Sequence, residues 1–262
     1  PKTSSAASDV YKRQEKYTLL QGLGVDRLLC VKFDRKFASQ SAEFFVENLL
    51  VNKLGVKYLV VGDDFRFGKG RVGDFSMLKA AGEKFDFDVV DTRSLKLQEA
   101  RVSSSAIRKA LREADLEKVE AYLGRPYSIS GKVIHGEKRG RSIGFPTANL
   151  PLLRCNTPVS GVFAVVVRIL CEHVTRNSAD TDNSEFWGVA NIGHRPTVEG
   201  IKPQLEVHIF DFCEQLYGKN LVVELRHKIR DEQKFESFDA LKEQIILDAD
   251  AAKNWLTDNL SG

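Results

Sequence analysis

The sequence predicts two architectures in series: an α/β half built on a parallel sheet, then an antiparallel β half, barrel or sandwich, followed by a long helix. Three observations point that way. Helix-like and strand-like segments alternate from Glu15 to about Tyr122, as in a parallel sheet covered by helices. After Gly124-Arg125-Pro126 the apolar runs become strand-like and several are separated by Gly- and Pro-containing turns, as in an antiparallel barrel or sandwich. The last segment, 238–256, has Leu241, Ile245, Ile246 and Trp255 among its apolar positions and reads as one amphipathic helix.

Taken in order, residues 1–14 (PKTSSAASDVYKRQ) are small, polar and aperiodic, a disordered arm or non-native leader. Residues 17–23 form a short helical piece, and 27–33 (RLLCVKF) are rich in strand formers. Residues 41–54 place Phe44, Phe45, Leu49 and Leu50 at helical spacing behind Ser41, a natural N-cap. Residues 58–61 (YLVV) read as a buried parallel strand, 75–85 as a helix, 86–90 as a strand, and 104–113 as a helix opening with a serine cap. Beyond the boundary near residue 123, strands are expected at 128–134, 162–170, 187–192, 205–212 and 221–229, and 173–185 as a mobile hairpin tip.

Composition narrows the function classes. Of 262 residues, 42% are apolar and 29% charged, enough to bury a sizeable core. The formal net charge of +3 is too small to hold a polyanion without clustering, so neither nucleic acid nor a membrane is an expected partner. The four cysteines form no CxxC pair, which suits reduced thiols and a cytoplasmic setting better than disulfides or a zinc site. The apolar run 162–167 is far short of the roughly 20 residues that span a bilayer.

The chemistry-bearing stretch is GEKRGRSIGFPTANL at 136–150. Gly136, Gly140 and Gly144 let backbone N–H groups approach an anion, and Lys138, Arg139 and Arg141 can add charge-assisted bonds to phosphate oxygens. Thr147 and Asn149 offer oxygen ligands for a hard cation such as Mg²⁺, while Pro146 restricts the turn that carries them. The stretch does not match the P-loop pattern, so the residues alone leave two readings open, a nucleotide cradle and a basic hairpin loop.

GKVIHGEKRGRSIGFPTANL resembles the signature of riboflavin kinases. Further likenesses follow in family order: GVFAV, GVANIGHRPTVEG, LEVHIFDF, LYGK and IRDEQKF. The resemblance implies a six-stranded antiparallel barrel with a C-terminal helix over 123–262, transferring the ATP γ-phosphoryl to the 5'-hydroxyl of riboflavin to give FMN. It implies Gly136, Lys138, Gly140, Arg141, Gly144, Pro146 and Thr147 as the ATP cradle, with Thr147 and Asn149 on Mg²⁺. It makes Glu206 the catalytic base, a role the chemistry needs because a primary alcohol attacks poorly until a carboxylate accepts its proton. By its residues alone Glu206 would be a solvated carboxylate on an edge strand. Arg230, Glu232 and Phe235 fall where the family closes a flap over the flavin; a charged helix entrance with Phe235 in the core is the other reading. His208 reads as a structural side chain.

Residues 15–122 resemble the FMN adenylyltransferase half of bacterial bifunctional riboflavin kinase/FAD synthetases, through VVGDDFRFGKGRVGDFSML and RVSSSAIRKAL. That implies a Rossmann-like nucleotidyltransferase domain, with Asp64 and Phe67 near flavin or nucleotide and Ser104 and Arg108 on ATP phosphates. The family's GxFDGxHxGH-type opening loop has no counterpart, and the first histidine is His135. The chain therefore reads as an amino-terminally truncated member, expected to make FMN and essentially no FAD. Three rivals follow: the fully bifunctional enzyme, a nucleic-acid-binding barrel using HGEKRGR, and a flavin-binding regulator without turnover, against which Glu206 argues. The second is disfavoured because the basic residues share one loop with only Phe145 nearby, not a strand face interleaved with aromatics.

Overall fold

The computed structural model describes residues 16–17, 19–62, 64–92, 96–97, 100–136, 144–152, 157–170, 184–197 and 200–261. The leader 1–14, the basic residues Lys138, Arg139 and Arg141 with Gly140, and most of the expected hairpin tip lie outside them. The chain divides into two compact units, residues 24–102 and residues 103–262 with 1–23.

In the first unit, helix α1 begins at Ala42–Phe44, capped by Ser41 Oγ, which accepts from the Phe44 N–H at 3.1 Å. It continues as a wider-wound turn through Phe45–Lys53, burying Val46 and Leu50. Strand β1 (Tyr58–Gly62) runs parallel to β2 (Asp88–Thr92). Helix α2 (Phe75–Phe85) joins them, capped by Asp74 accepting from the Met77 N–H at 2.9 Å. Their shared core holds Ala42, Val46, Leu50, Phe67, Leu78 and Phe87.

Two expectations fail here. Strand β1 is not buried: Tyr58 and Val60 are 60% and 52% exposed, and only Leu59 and Val61 pack on the core. Among the described residues the sheet has two strands, and its other face carries Tyr58, Val60 and Val90 to the surface. Residues 27–33 form no strand. Strand propensity acts through cross-strand neighbours, and this segment has none among the described residues.

The second unit opens with α3 (Ser104–Arg112) and α4 (Leu116–Leu123), packed through Ala110, Leu111 and Val119. Ser103, not Ser104, caps α3, accepting from the Ala106 N–H at 3.2 Å. Helix α4 was not anticipated, although Asp115 caps it and Gly124 ends it in the left-handed conformation that favours glycine.

Six strands then form an antiparallel barrel: β3 (Ser128–Lys132), β4 (Ala148–Pro151), β5 (Gly161–Leu170), β6 (Glu185–Thr197), β7 (Gly200–Ile209) and β8 (Asn220–Arg230), in the order β3-β8-β5-β6-β7-β4. A bridge from Ile134 to Asn149 nearly closes it. Strand β5 is apolar from Val162 to Val167 because both its faces are covered there. Phe163, Val165 and Val167 fill the barrel, while Val162, Ala164 and Val166 pack with Ala249, Ala252 and Leu256 of helix α5 (Phe238–Leu260). The sixth strand, β4, escaped the sequence pattern because it is four residues long and includes Asn and Pro, which strands disfavour.

Among the described residues, no helix is long and apolar enough to cross a membrane, and no group of three His, Cys, Asp or Glu could hold a metal.

Candidate functional site

Strand β7 alternates with period two. Leu205, Val207 and Ile209 point into the barrel core, which puts Gln204, Glu206 and His208 on the outer face. Glu206 pairs with Asn149 on β4 and with Asn191 on β6. Asn191 pairs in turn with Val162, and Val162 with Arg230. Directly opposed residues share a sheet face, so one row runs Asn149, Glu206, Asn191, Val162, Arg230 across the barrel. Glu206 is half-buried on a strand with neighbours on both sides, not on an edge.

The turn before β4 is held at several points. Asn149, only 5% exposed, accepts from Gln204 Nε2 at 2.5 Å and donates to the Thr147 carbonyl at 3.3 Å. Gly136 has a use the sequence did not suggest: a Cβ there would lie 2.5 Å from Asn149 Cγ, so its missing side chain makes room for the amide. His208 donates from Nδ1 to the Pro146 carbonyl at 2.9 Å, and its ring meets Phe145 edge-on at 5.0 Å. Burial of the imidazole lowers its pKa and Lys253 lowers it further, against the Pro146 carbonyl and Asp211, which raise it.

The segment after β8 forms a wall. Arg230 holds Asp248 of α5 through Nε at 2.8 Å and Nη2 at 2.7 Å, donates from Nη1 to the Asp231 carbonyl at 2.8 Å, and lies 5.6 Å from the Phe235 ring centroid. Glu232 stands against Gly193, where a Cβ would come within 3.0 Å of its Cδ. Between this wall and the Glu206 row is a cleft of ≈ 290 Å³ lined by Phe145, Thr147, Asn191, Glu206, Arg230, Glu232 and Phe235. A second cleft, ≈ 310 Å³, is lined by Val133, Pro146, Thr147, Phe212 and Tyr217. Thr147 lines both.

Residues from three distant stretches, around 147, 206 and 230–235, therefore share one cleft. Ser104 and Arg108 lie one turn apart on α3 and are both exposed. Asp64 is exposed in the other unit, where Phe67 is 6% exposed and packs between Phe45 and Phe65. Asn191, Gln204 and Asp248 escaped the sequence reading. Asp248 left a trace, since Gln244 and Asp248 put an i, i+4 polar pair on a helix otherwise packed through Ala and Leu.

Two clefts meeting at one threonine, with oxygen donors and a carboxylate beside them, define a small-molecule enzyme on a six-stranded barrel. Comparison with known proteins agrees. The riboflavin kinase family (Flavokinase) matches residues 123–256 and the FAD synthetase family (FAD_syn) residues 2–106. The bifunctional riboflavin kinase/FMN adenylyltransferase of Escherichia coli K12 is 48% identical over 253 residues, covering 97% of this chain and 77% of that protein. The Haemophilus influenzae enzyme of the same name is 48% identical over 249 residues, covering 95% and 77%. A crystal structure of a macrolide-efflux protein from Streptococcus pneumoniae matches with a TM-score of 0.74 at 32% identity, covering 92% of this chain and 74% of that one.

The chain belongs to the bifunctional riboflavin kinase/FMN adenylyltransferase family. It carries both of that family's domains, and the expected loss of adenylyl transfer is not confirmed by these matches. Such ATP-using enzymes generally need a divalent metal. The side chains of Thr147 and Asn149 carry oxygen donors of the class a hard cation takes.

Proposed function

We propose that residues 123–262 phosphorylate riboflavin to FMN with ATP. The observation that carries this is the shared position of Thr147. It lines one cleft with Glu206, Arg230, Glu232 and Phe235, and a second cleft without them. Two substrates can then approach from opposite sides of one oxygen-rich turn, the flavin in the first cleft and the nucleotide in the second.

Glu206 accepts the proton of the terminal ribityl hydroxyl as its oxygen attacks the γ-phosphorus. The new O–P bond forms while the bond to the β-phosphate oxygen breaks, and ADP leaves. Thr147 and Asn149 would hold Mg²⁺, which when bound offsets the charge on the transferring phosphoryl group. Gly136, Gly144 and Pro146, with Lys138, Gly140 and Arg141 of the basic loop, form the ATP cradle. Exposed Cys30 and Cys213 suit a reducing cytoplasm, where ATP is at hand.

Incubating the full chain with riboflavin, ATP and Mg²⁺ and separating the flavins by chromatography tests this. FMN is expected; a folded chain that forms none refutes the kinase.

The FAD synthetase match over 2–106 favours a second product. In that reading Ser104 and Arg108 contact ATP phosphates near the amino end of α3, while buried Phe67 is a core residue of its own unit. FAD in the same chromatogram supports bifunctionality; FMN alone supports the kinase only.

A further inference from the structure

Asp248 is 4% exposed on α5, in the stretch that packs on the barrel through Ala249, Ala252 and Leu256. Burying a carboxylate there needs a compensating role, because desolvation is costly unless the charge is paired and hydrogen-bonded. The pairing is complete on the oxygens. Oδ1 accepts from Arg230 Nε at 2.8 Å and Gln244 Nε2 at 2.9 Å, and Oδ2 accepts from Arg230 Nη2 at 2.7 Å. Stability alone is a poor reason for such a pair, since well-packed apolar side chains often serve as well or better. What a bidentate pair supplies is orientation, because it fixes the plane of the guanidinium.

Arg230 stands where orientation matters. It ends β8 just after a register shift, on the row that carries Glu206. With the Nε/Nη2 edge of its guanidinium held by Asp248, Nη1 reaches the Asp231 carbonyl at 2.8 Å and the group lies 5.6 Å from the Phe235 ring. The same side chain thus touches both ends of the 231–235 segment.

We infer that Asp248 is a positioning residue for the proposed kinase reaction, acting through Arg230 to hold the 231–235 segment as the wall of the Glu206 cleft, an inference that rests on the kinase reading. Helix α5 then does more than cover the barrel. It sets the shape of the flavin side of the site and leaves the nucleotide side alone.

The test is steady-state kinetics of the full chain with riboflavin and with ATP varied separately, alongside thermal melting. Asp248→Asn keeps the size but loses the charge, and should raise the riboflavin KM about tenfold while kcat and the ATP KM stay within about twofold. Gln244→Ala removes one hydrogen bond without leaving a buried charge unpaired, so it stays folded if Asp248→Asn does not. It should move the riboflavin KM in the same direction by a smaller factor. A merely structural role would lower the Tm and the active fraction and leave the KM of the active molecules unchanged. An active wild type with an unmoved riboflavin KM in the folded variants overturns the positioning role alone. A wild type that forms no FMN overturns the kinase reading beneath it.

Discussion

Asn149 and Glu206 stand opposite each other on the antiparallel strands β4 and β7, and Gln204, two positions before Glu206, donates to Asn149 Oδ1 at 2.5 Å. The strand that bears the candidate base thus also holds the candidate metal ligand. Their spacing is set by ladder geometry, not by loop conformation, so each can be probed without moving the other.

Glu206→Gln preserves the shape and the ladder while removing the proton acceptor. The kcat for FMN formation should fall about 10²- to 10⁴-fold, the range general-base catalysis supplies, with riboflavin binding nearly unchanged. Titrating riboflavin fluorescence against both proteins separates the two effects. An unaltered kcat would return Glu206 to the role of a partly solvated surface carboxylate.

Thr147→Ala removes a hydroxyl that serves a cation and a phosphate together, so kcat should fall and the Mg²⁺ requirement should rise. Thr147→Ser keeps the hydroxyl and should be much milder. Magnesium titrations of the two variants decide the matter, and equal damage from both would point to packing of the threonine methyl.

The fold was legible where local periodicity carries it. Helix α2 spans the expected residues 75–85, and β5 fills its predicted run because both its faces are covered. Local pattern failed where partners decide. RLLCVKF has strand formers but no ladder, and Ala148–Pro151 has poor strand formers but a ready ladder on β7. Thr147 and Asn149 were candidate cation ligands by residue type, but only family resemblance joined Glu206 to them as a candidate site. The register that sets Asn149 against Glu206 joins stretches far apart in the chain, and no spacing within either one contains it. Asp248 was hidden for the same reason, its partner Arg230 lying 18 residues away on another element.

Gly136→Ala tests the packing beneath Asn149. The added Cβ would lie 2.5 Å from Asn149 Cγ, and that buried side chain is already held by Gln204. Overpacking of this kind should cost about 1–3 kcal/mol and lower kcat by displacing Asn149. Gly144→Ala is the contrast: its φ of +85° strains any side chain, but the space around it is open. It should destabilise the fold by the cost of a left-handed residue, about 1–2 kcal/mol, and, as a glycine of the proposed ATP cradle, raise the ATP KM without displacing Asn149. Melting curves and kinetics on both variants measure this, and full activity in Gly136→Ala would show that the amide can give way.

His208 makes stability depend on acid. Its folded pKa lies below the ordinary 6.5, first because burial disfavours the charged ring and then because Lys253 repels it, against the raising effects of the Pro146 carbonyl and Asp211. In the window below 6.5 the unfolded chain binds more protons than the native one, so stability rises with pH there. The contribution is complete above the unfolded pKa and is lost as pH falls through the folded one. Protonation leaves the bond to Pro146 in place, because Nδ1–H donates in either charge state; what the acid form costs is a buried charge near Lys253. His208→Gln removes the titration, and its Tm should therefore fall less than that of the wild type between pH 7.5 and pH 5.5. Parallel Tm–pH curves for the two proteins would mean that His208 does not contribute to the acid sensitivity.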